Sequence, residues 1–277
     1  MADFSWTTWH WHPDIVTGIL LLAGVYLLGV GPLRRRFGWA ERVPRGSAAL
    51  FYAGLAVLYV AISSPLHELS DDFLFSAHMV QHLLLMMAVP PLLIWGTPGW
   101  LLRPLLRHAA VERSARFVTS PIVAFILFSS VFSLWHFPPL YDATLRHHSL
   151  HVLEHLLFIS TAVVMWWPVL GRMPELPRPS YPVQMIYLFF LSLPPGFVGA
   201  VITFSGEVKY TWYAEVPRLW GLSALVDQQI GGLIMKLLGA AVFLVAMGVV
   251  FFIWYSREGV ETRVGGHGGE ALTSDRG

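Results

Sequence analysis

Seven long apolar stretches, separated by short polar connections, organise the chain. They cover about 15–33, 47–66, 73–95, 117–137, 149–170, 182–204 and 228–255. Most are at or near the roughly 20 residues that a helix needs to cross the hydrocarbon of a bilayer. The pattern predicts an all-α fold, a polytopic membrane helix bundle with about seven transmembrane helices. The connections leave no room for a separate soluble domain, so residues 1–257 form one transmembrane domain. Residues 258–277, with their Gly-Gly-His-Gly-Gly-Glu run, read as a flexible polar tail. Two local features qualify the helices. Pro194 and Pro195 remove consecutive backbone donors and should break or kink the sixth span. Gly231 and Gly232 should let the last helix approach a neighbour closely.

Composition agrees with this pattern. Of the 277 residues, 55% are hydrophobic and 13% charged, about half the charged share of a soluble domain. There is no cysteine, which excludes disulfides, thiolate metal sites and cysteine nucleophiles. No basic run precedes the first apolar stretch, so no cleaved signal peptide is expected.

Placement of the basic residues sets an expected orientation. Of the 18 Lys and Arg, 14 fall in the first, third and fifth connections and the tail, and three, Arg146, Lys209 and Arg218, fall on the other side. Lys236 lies inside the last span. Short loops rich in Lys and Arg stay in the cytoplasm. The amino terminus is therefore expected outside and the carboxyl terminus in the cytoplasm.

With that topology, ten of the 12 histidines gather at the outer side; His108 and His267 are the exceptions. His78 and His82 stand four apart near the start of the third span, and His151 and His155 repeat the spacing in the fifth. On a helix such pairs share a face. Glu154 adjoins the second pair, and His136 closes the fourth span. At the last span, Asp227, Gly231 and Met235 fall on one stripe. His82 and His155 reach similar depths, roughly 8–14 Å below their helix starts.

Ionisable groups inside a bilayer are costly unless paired or liganded, so they mark function. Neutral imidazole binds late first-row metals, and thioether favours Cu(I). The candidate ligands are His78, His82, His136, His151, Glu154, His155, Asp227 and Met235. Zinc remains open, although structural zinc usually recruits cysteine, and so does bis-histidine haem ligation. His10 and His12, among Trp6, Trp9 and Trp11, read as an interfacial aromatic belt. Lys236 reads as a partner for Glu154 or Asp227.

The strings His-Met-Val-Gln-His (78–82), Trp-His-Phe-Pro-Pro-Leu-Tyr-Asp (135–142), His-Val-Leu-Glu-His (151–155) and Asp-Gln-Gln-Ile-Gly-Gly-Leu-Ile-Met-Lys (227–236) resemble the motifs of the CtaG-like membrane proteins. These are assembly factors of caa(3)-type cytochrome c oxidase. The resemblance runs from Trp9 to the end of the last span. It implies a multi-pass protein of a bacterial plasma (inner) membrane that is not an enzyme. Such a protein would act as a copper chaperone to cytochrome c oxidase subunits, with no nucleic-acid partner. Other classes stay open on the residues alone: a haem-binding or redox membrane protein, a transporter of protons or metal ions, and a retinal protein with Lys236 as its amine.

Overall fold

The computed structural model describes residues 4–270, with side chains through Glu258. Among the described residues the chain is helical and has no strand. Its main helices are α1 (Pro13–Phe37), α2 (Ser47–Ser63), α3 (Pro65–Asp72), α4 (Phe75–Gly96) and α5 (Ala109–Val118). They continue with α6 (Pro121–Trp135), α7 (Pro138–Arg146), α8 (His148–Leu170), α9 (Tyr181–Thr203) and α10 (Ala224–Glu270). Five of these, α1, α4, α8, α9 and α10, are long and apolar enough to cross a membrane. Two bent pairs bring the number to seven if each pair is one span: α2–α3, bent by 44°, and α5–α6, bent by 66°. The sharper bend follows from sequence. Glu112, Arg113 and Arg116 make α5 polar, and Pro121 starts a new helix after Ser120. The expected span over 117–137 therefore begins inside α5 and turns a corner before it runs straight. The protein is a multi-pass membrane protein, and aliphatic and phenylalanine side chains such as Leu20, Val25, Ile126, Phe190 and Val249 lie bare on its flanks. Lipid tails are their natural cover, because a bilayer replaces the packing that water would not reward.

α4 lies at the centre of the bundle. Its first half packs on α3 and α10, and its second half on α2 and α8. α9 and α10 form the most extensive pair. There Gly199 and Gly232 face one another, and a methyl group on either would come within 2.7–2.8 Å of the other's carbonyl oxygen. Close packing is thus what Gly232 permits, as its sequence context suggests. α9 runs as one helix through Pro194 and Pro195, so of the expected break or kink the break does not occur. The cost falls on the carbonyls of Phe190 and Leu191, which lose their usual helical donors. α10 continues as backbone helix to Glu270, and the last part of the predicted tail, 271–277, lies outside the described residues.

The two ends of the bundle differ. One carries Arg103, Arg172, Arg178 and Arg257, held by Glu175, Trp95, the Val169 carbonyl and Tyr181 respectively. The other carries the histidines.

Candidate metal centre

Local sequence explains how α4 presents its histidines. α4 starts at Phe75, and Asp227 of α10 caps it from outside the helix. One carboxylate oxygen accepts from the Phe75 N–H at 2.8 Å, and the other from the Ser76 N–H at 3.1 Å and the Ser76 hydroxyl at 2.5 Å. Free N–H groups at a helix start are natural partners for a carboxylate. His78 and His82 follow on the buried face. α8 begins at His148, after Pro138–Arg146 has turned the chain, and its first two turns bring His151, Glu154 and His155 against His78 and His82 of α4. The third and fifth spans are therefore neighbours, as a shared site requires.

Four groups converge: each of His78, His151, Glu154 and His155 offers one ligand atom, and these atoms lie within 4.8 Å of one another. All four residues are buried, Glu154 completely. Among the described residues neither Glu154 oxygen accepts a hydrogen bond, because the neighbouring Thr144 hydroxyl donates its one proton to the Tyr141 carbonyl at 2.7 Å, and Nε2 of His151 and of His155 has no partner either. A buried carboxylate without a donor is costly, several kcal/mol for an unpaired ion. A cation among these atoms would relieve that cost and occupy the free imidazole lone pairs.

The surrounding groups orient the rings. Tyr213 donates its hydroxyl to the Ser70 carbonyl at 2.6 Å, and His78 Nδ1 lies 3.2 Å from the same hydroxyl oxygen. The tyrosine's one proton is committed, so a neutral His78 carries its proton on Nδ1 and donates it there. Burial holds the Tyr213 phenol far above the usual tyrosine range, so it stays a donor. Asp71 reaches three rings, at 3.3 Å from His151, 3.5 Å from His67 and 3.6 Å from His78. This is the histidine–carboxylate arrangement that orients metal ligands from behind. Gln81 fixes the next ring, donating to the Ala61 carbonyl at 2.8 Å and contacting His67 Nδ1 at 3.0 Å.

A cavity of about 360 Å³ opens beside this cluster. His10, His12, His67 and His148 line it along with His151 and His155. His12 is 4.9 Å from His67 between ring centres, and His67 is 5.9 Å from His151. Burial lowers the His12 pKa, with help from the nearby His67, so its ring is neutral and able to ligate at pH 7. His10 Nε2 sits 3.3 Å from Glu68, and His148 Nε2 sits 3.5 Å from Asp14. Trp9 does stack on Tyr59 and Trp6 on Trp220, but the histidines between them line the cavity.

The remaining predicted ligands lie elsewhere. Asp227 caps α4. His82 bonds His78, Nε2 to Nε2 at 2.7 Å, and comes within 3.8 Å of Glu154 at the edge of the four-group cluster. His136 and Met235 lie deeper, on a second cavity. Lys236 pairs with neither Glu154 nor Asp227; its ammonium lies 5.5 Å over the Phe204 ring. Sequence reasoning missed Asp71 and Tyr213. Asp71 could have been found from its place four residues after His67, but Tyr213 had no local signal.

Fold and site together define a polytopic helical membrane protein with a buried imidazole–carboxylate cluster at one end. The chain belongs to the cytochrome c oxidase caa3 assembly factor family (Caa3_CtaG), whose profile matches residues 24–257. It is similar, at 29% identity over 242 residues, to uncharacterized proteins of Mycobacterium bovis and Mycobacterium tuberculosis, with 82% of this chain covered. An uncharacterized protein of Mycobacterium leprae is 28% identical over 247 residues, again across 82% of this chain. The chain spans 36% of the length of each of these curated relatives. No solved structure matches it.

Proposed function

We propose that this protein holds a copper ion at His78, His151, Glu154 and His155 and passes it to a cytochrome c oxidase subunit during assembly, without catalysing a reaction. The observation that carries the reading is the Glu154 carboxylate, fully buried and without a donor, among three imidazoles within 4.8 Å. Three nitrogens and one carboxylate oxygen suit copper or zinc by ligand type, and the family's role in oxidase assembly favours copper as the cargo. We take the histidine end to face outward from a bacterial plasma membrane, because the opposite end carries most of the arginines. The 360 Å³ cavity then gives copper an entry lined by His10, His12, His67 and His148. Imidazole and carboxylate ligands release copper more readily than a thiolate cage, which suits delivery. Asp71 and Tyr213 hold the ligand rings in place while the ion enters and leaves.

Cells in which Glu154→Gln or His151→Ala replaces the parental protein test the delivery role. The expected result is an oxidase whose polypeptides are present but whose activity falls and recovers when copper is added to the medium. Normal activity in both variants would remove the proposed role. A Soret band in the purified protein would instead support the haem-binding alternative.

A further inference from the structure

Below the four-group cluster, a second and much smaller cavity of about 10 Å³ is lined by His82, His136, Met79, Met86, Met87 and Met235, together with apolar side chains and Pro195. This volume holds one water or one small ion. The hydrogen bonds decide which ring atoms are free to face it. His136 lies 2.7 Å through Nδ1 from the Phe132 carbonyl. A carbonyl only accepts, so the proton is on Nδ1 and Nε2 is a bare lone pair. That Nε2 has no partner, and the residue is 4% exposed. A similar chain runs through His82. His78 carries its proton on Nδ1, toward Tyr213, so its Nε2 accepts from His82 Nε2–H. His82 Nδ1 is therefore bare too, and it is buried without a partner. If an ion in the four-group cluster took the His78 lone pair, the His82 Nε2–H would still have Glu154 at 3.8 Å, and Nδ1 would stay free.

We infer that His82 and His136, with the thioethers of Met79 and Met235, form a second metal site selective for soft monovalent ions of the Cu(I) and Ag(I) type. Two imidazoles whose other nitrogens are committed as donors, to the Phe132 carbonyl and to His78 Nε2, are oriented as ligand rings are. Thioether sulfur selects Cu(I) over the harder divalent ions. Among the described residues no carboxylate lines this cavity, so nothing there compensates a second positive charge. The four-group cluster differs on each count, with a carboxylate and no sulfur. His78 and His82, one helical turn apart, link the two sites, and reduced copper could step from one to the other. The inference shares copper with the proposed function, but its ligands are different residues.

Orthogonal probes separate the two sites. Silver(I) and zinc(II) are titrated into the purified, detergent-solubilised parent, the Met79→Leu/Met235→Leu variant and Glu154→Gln. Methionine-to-leucine changes nearly conserve volume. The expected result is that silver affinity falls by at least about tenfold, the loss typical of a disturbed ligand set, in the methionine variant and stays near parental in Glu154→Gln, with zinc showing the reverse. Selenium-edge absorption on selenomethionine-labelled parent should show silver scattering at selenium, without any variant. Silver binding that ignores the methionines, or no selenium–silver contact, would overturn the inference and leave the cavity to a water molecule. Methionine-dependent silver binding without zinc binding would instead remove the four-group site and leave this one.

Discussion

The two histidine pairs have the same spacing in sequence and different chemistry in the fold. On α4, His78 and His82 bond each other through Nε2 at 2.7 Å. On α8, the rings of His151 and His155 are 4.3 Å apart between centres, yet Nε2 of each lacks a hydrogen-bond partner. The spacing is identical, so the neighbours make the difference. Asp71 stands beside the first histidine of each pair, but only on α4 does a tyrosine, Tyr213, take the proton of that first ring and leave its Nε2 to the second. α8 carries Glu154 between its histidines, which places buried carboxyl oxygens beside their rings. A spacing of four residues tells which face a histidine occupies. Only the groups on other elements decide whether its lone pair is free.

That difference can be broken experimentally. Removing both α8 rings with His151→Ala/His155→Ala should have the largest effect, lowering zinc or copper affinity by more than about a hundredfold, since two of few ligands are lost. Isothermal titration of the purified variant checks this. Single changes sharpen the contrast. His151→Ala should weaken zinc binding more than His82→Ala, whereas His82→Ala should be the one that weakens silver binding; equal effects of both on both metals would mean the pairs are not chemically distinct. Asp227→Ala should act on the scaffold instead. It leaves the Phe75 and Ser76 N–H groups without their acceptor, a loss of roughly 1–3 kcal/mol. A thermal melt should show this, while zinc affinity stays within about twofold, as expected for a site with no shared partner. His108→Ala, at the arginine end, should change neither quantity.

Much of this architecture was legible before the fold. Long apolar runs must become spanning helices because lipid offers no partner for bare backbone. Even so, composition could not show that the 117–137 run turns by 66° at Ser120–Pro121. Within the site, the spacing of His78 with His82 and of His151 with His155 announced buried faces. The sorting of eight candidates into a four-group cluster, a deeper cavity and a helix cap was not legible, because it depends on contacts between residues far apart in sequence. Asp227 shows this most clearly. It lay on the expected stripe with Met235, but its oxygens meet N–H groups 151 and 152 residues away. Tyr213, which orients His78, comes from a connection with no motif of its own. Lys236 has an aromatic ring beneath it rather than a carboxylate because α10 turns it toward Phe204.

The account rests on Glu154 being buried to meet a cation, and one comparison tests that directly. Copper is loaded onto the purified parent and onto Glu154→Gln, which keeps the shape and removes the charge, and the copper retained after extensive dialysis is counted with Met79 and Met235 replaced by leucine in both. The account predicts about one copper per chain in the former and almost none in the latter, by the tenfold or greater loss expected for a missing ligand. Equal retention in the two would contradict it, because the carboxylate would then be buried for some other reason.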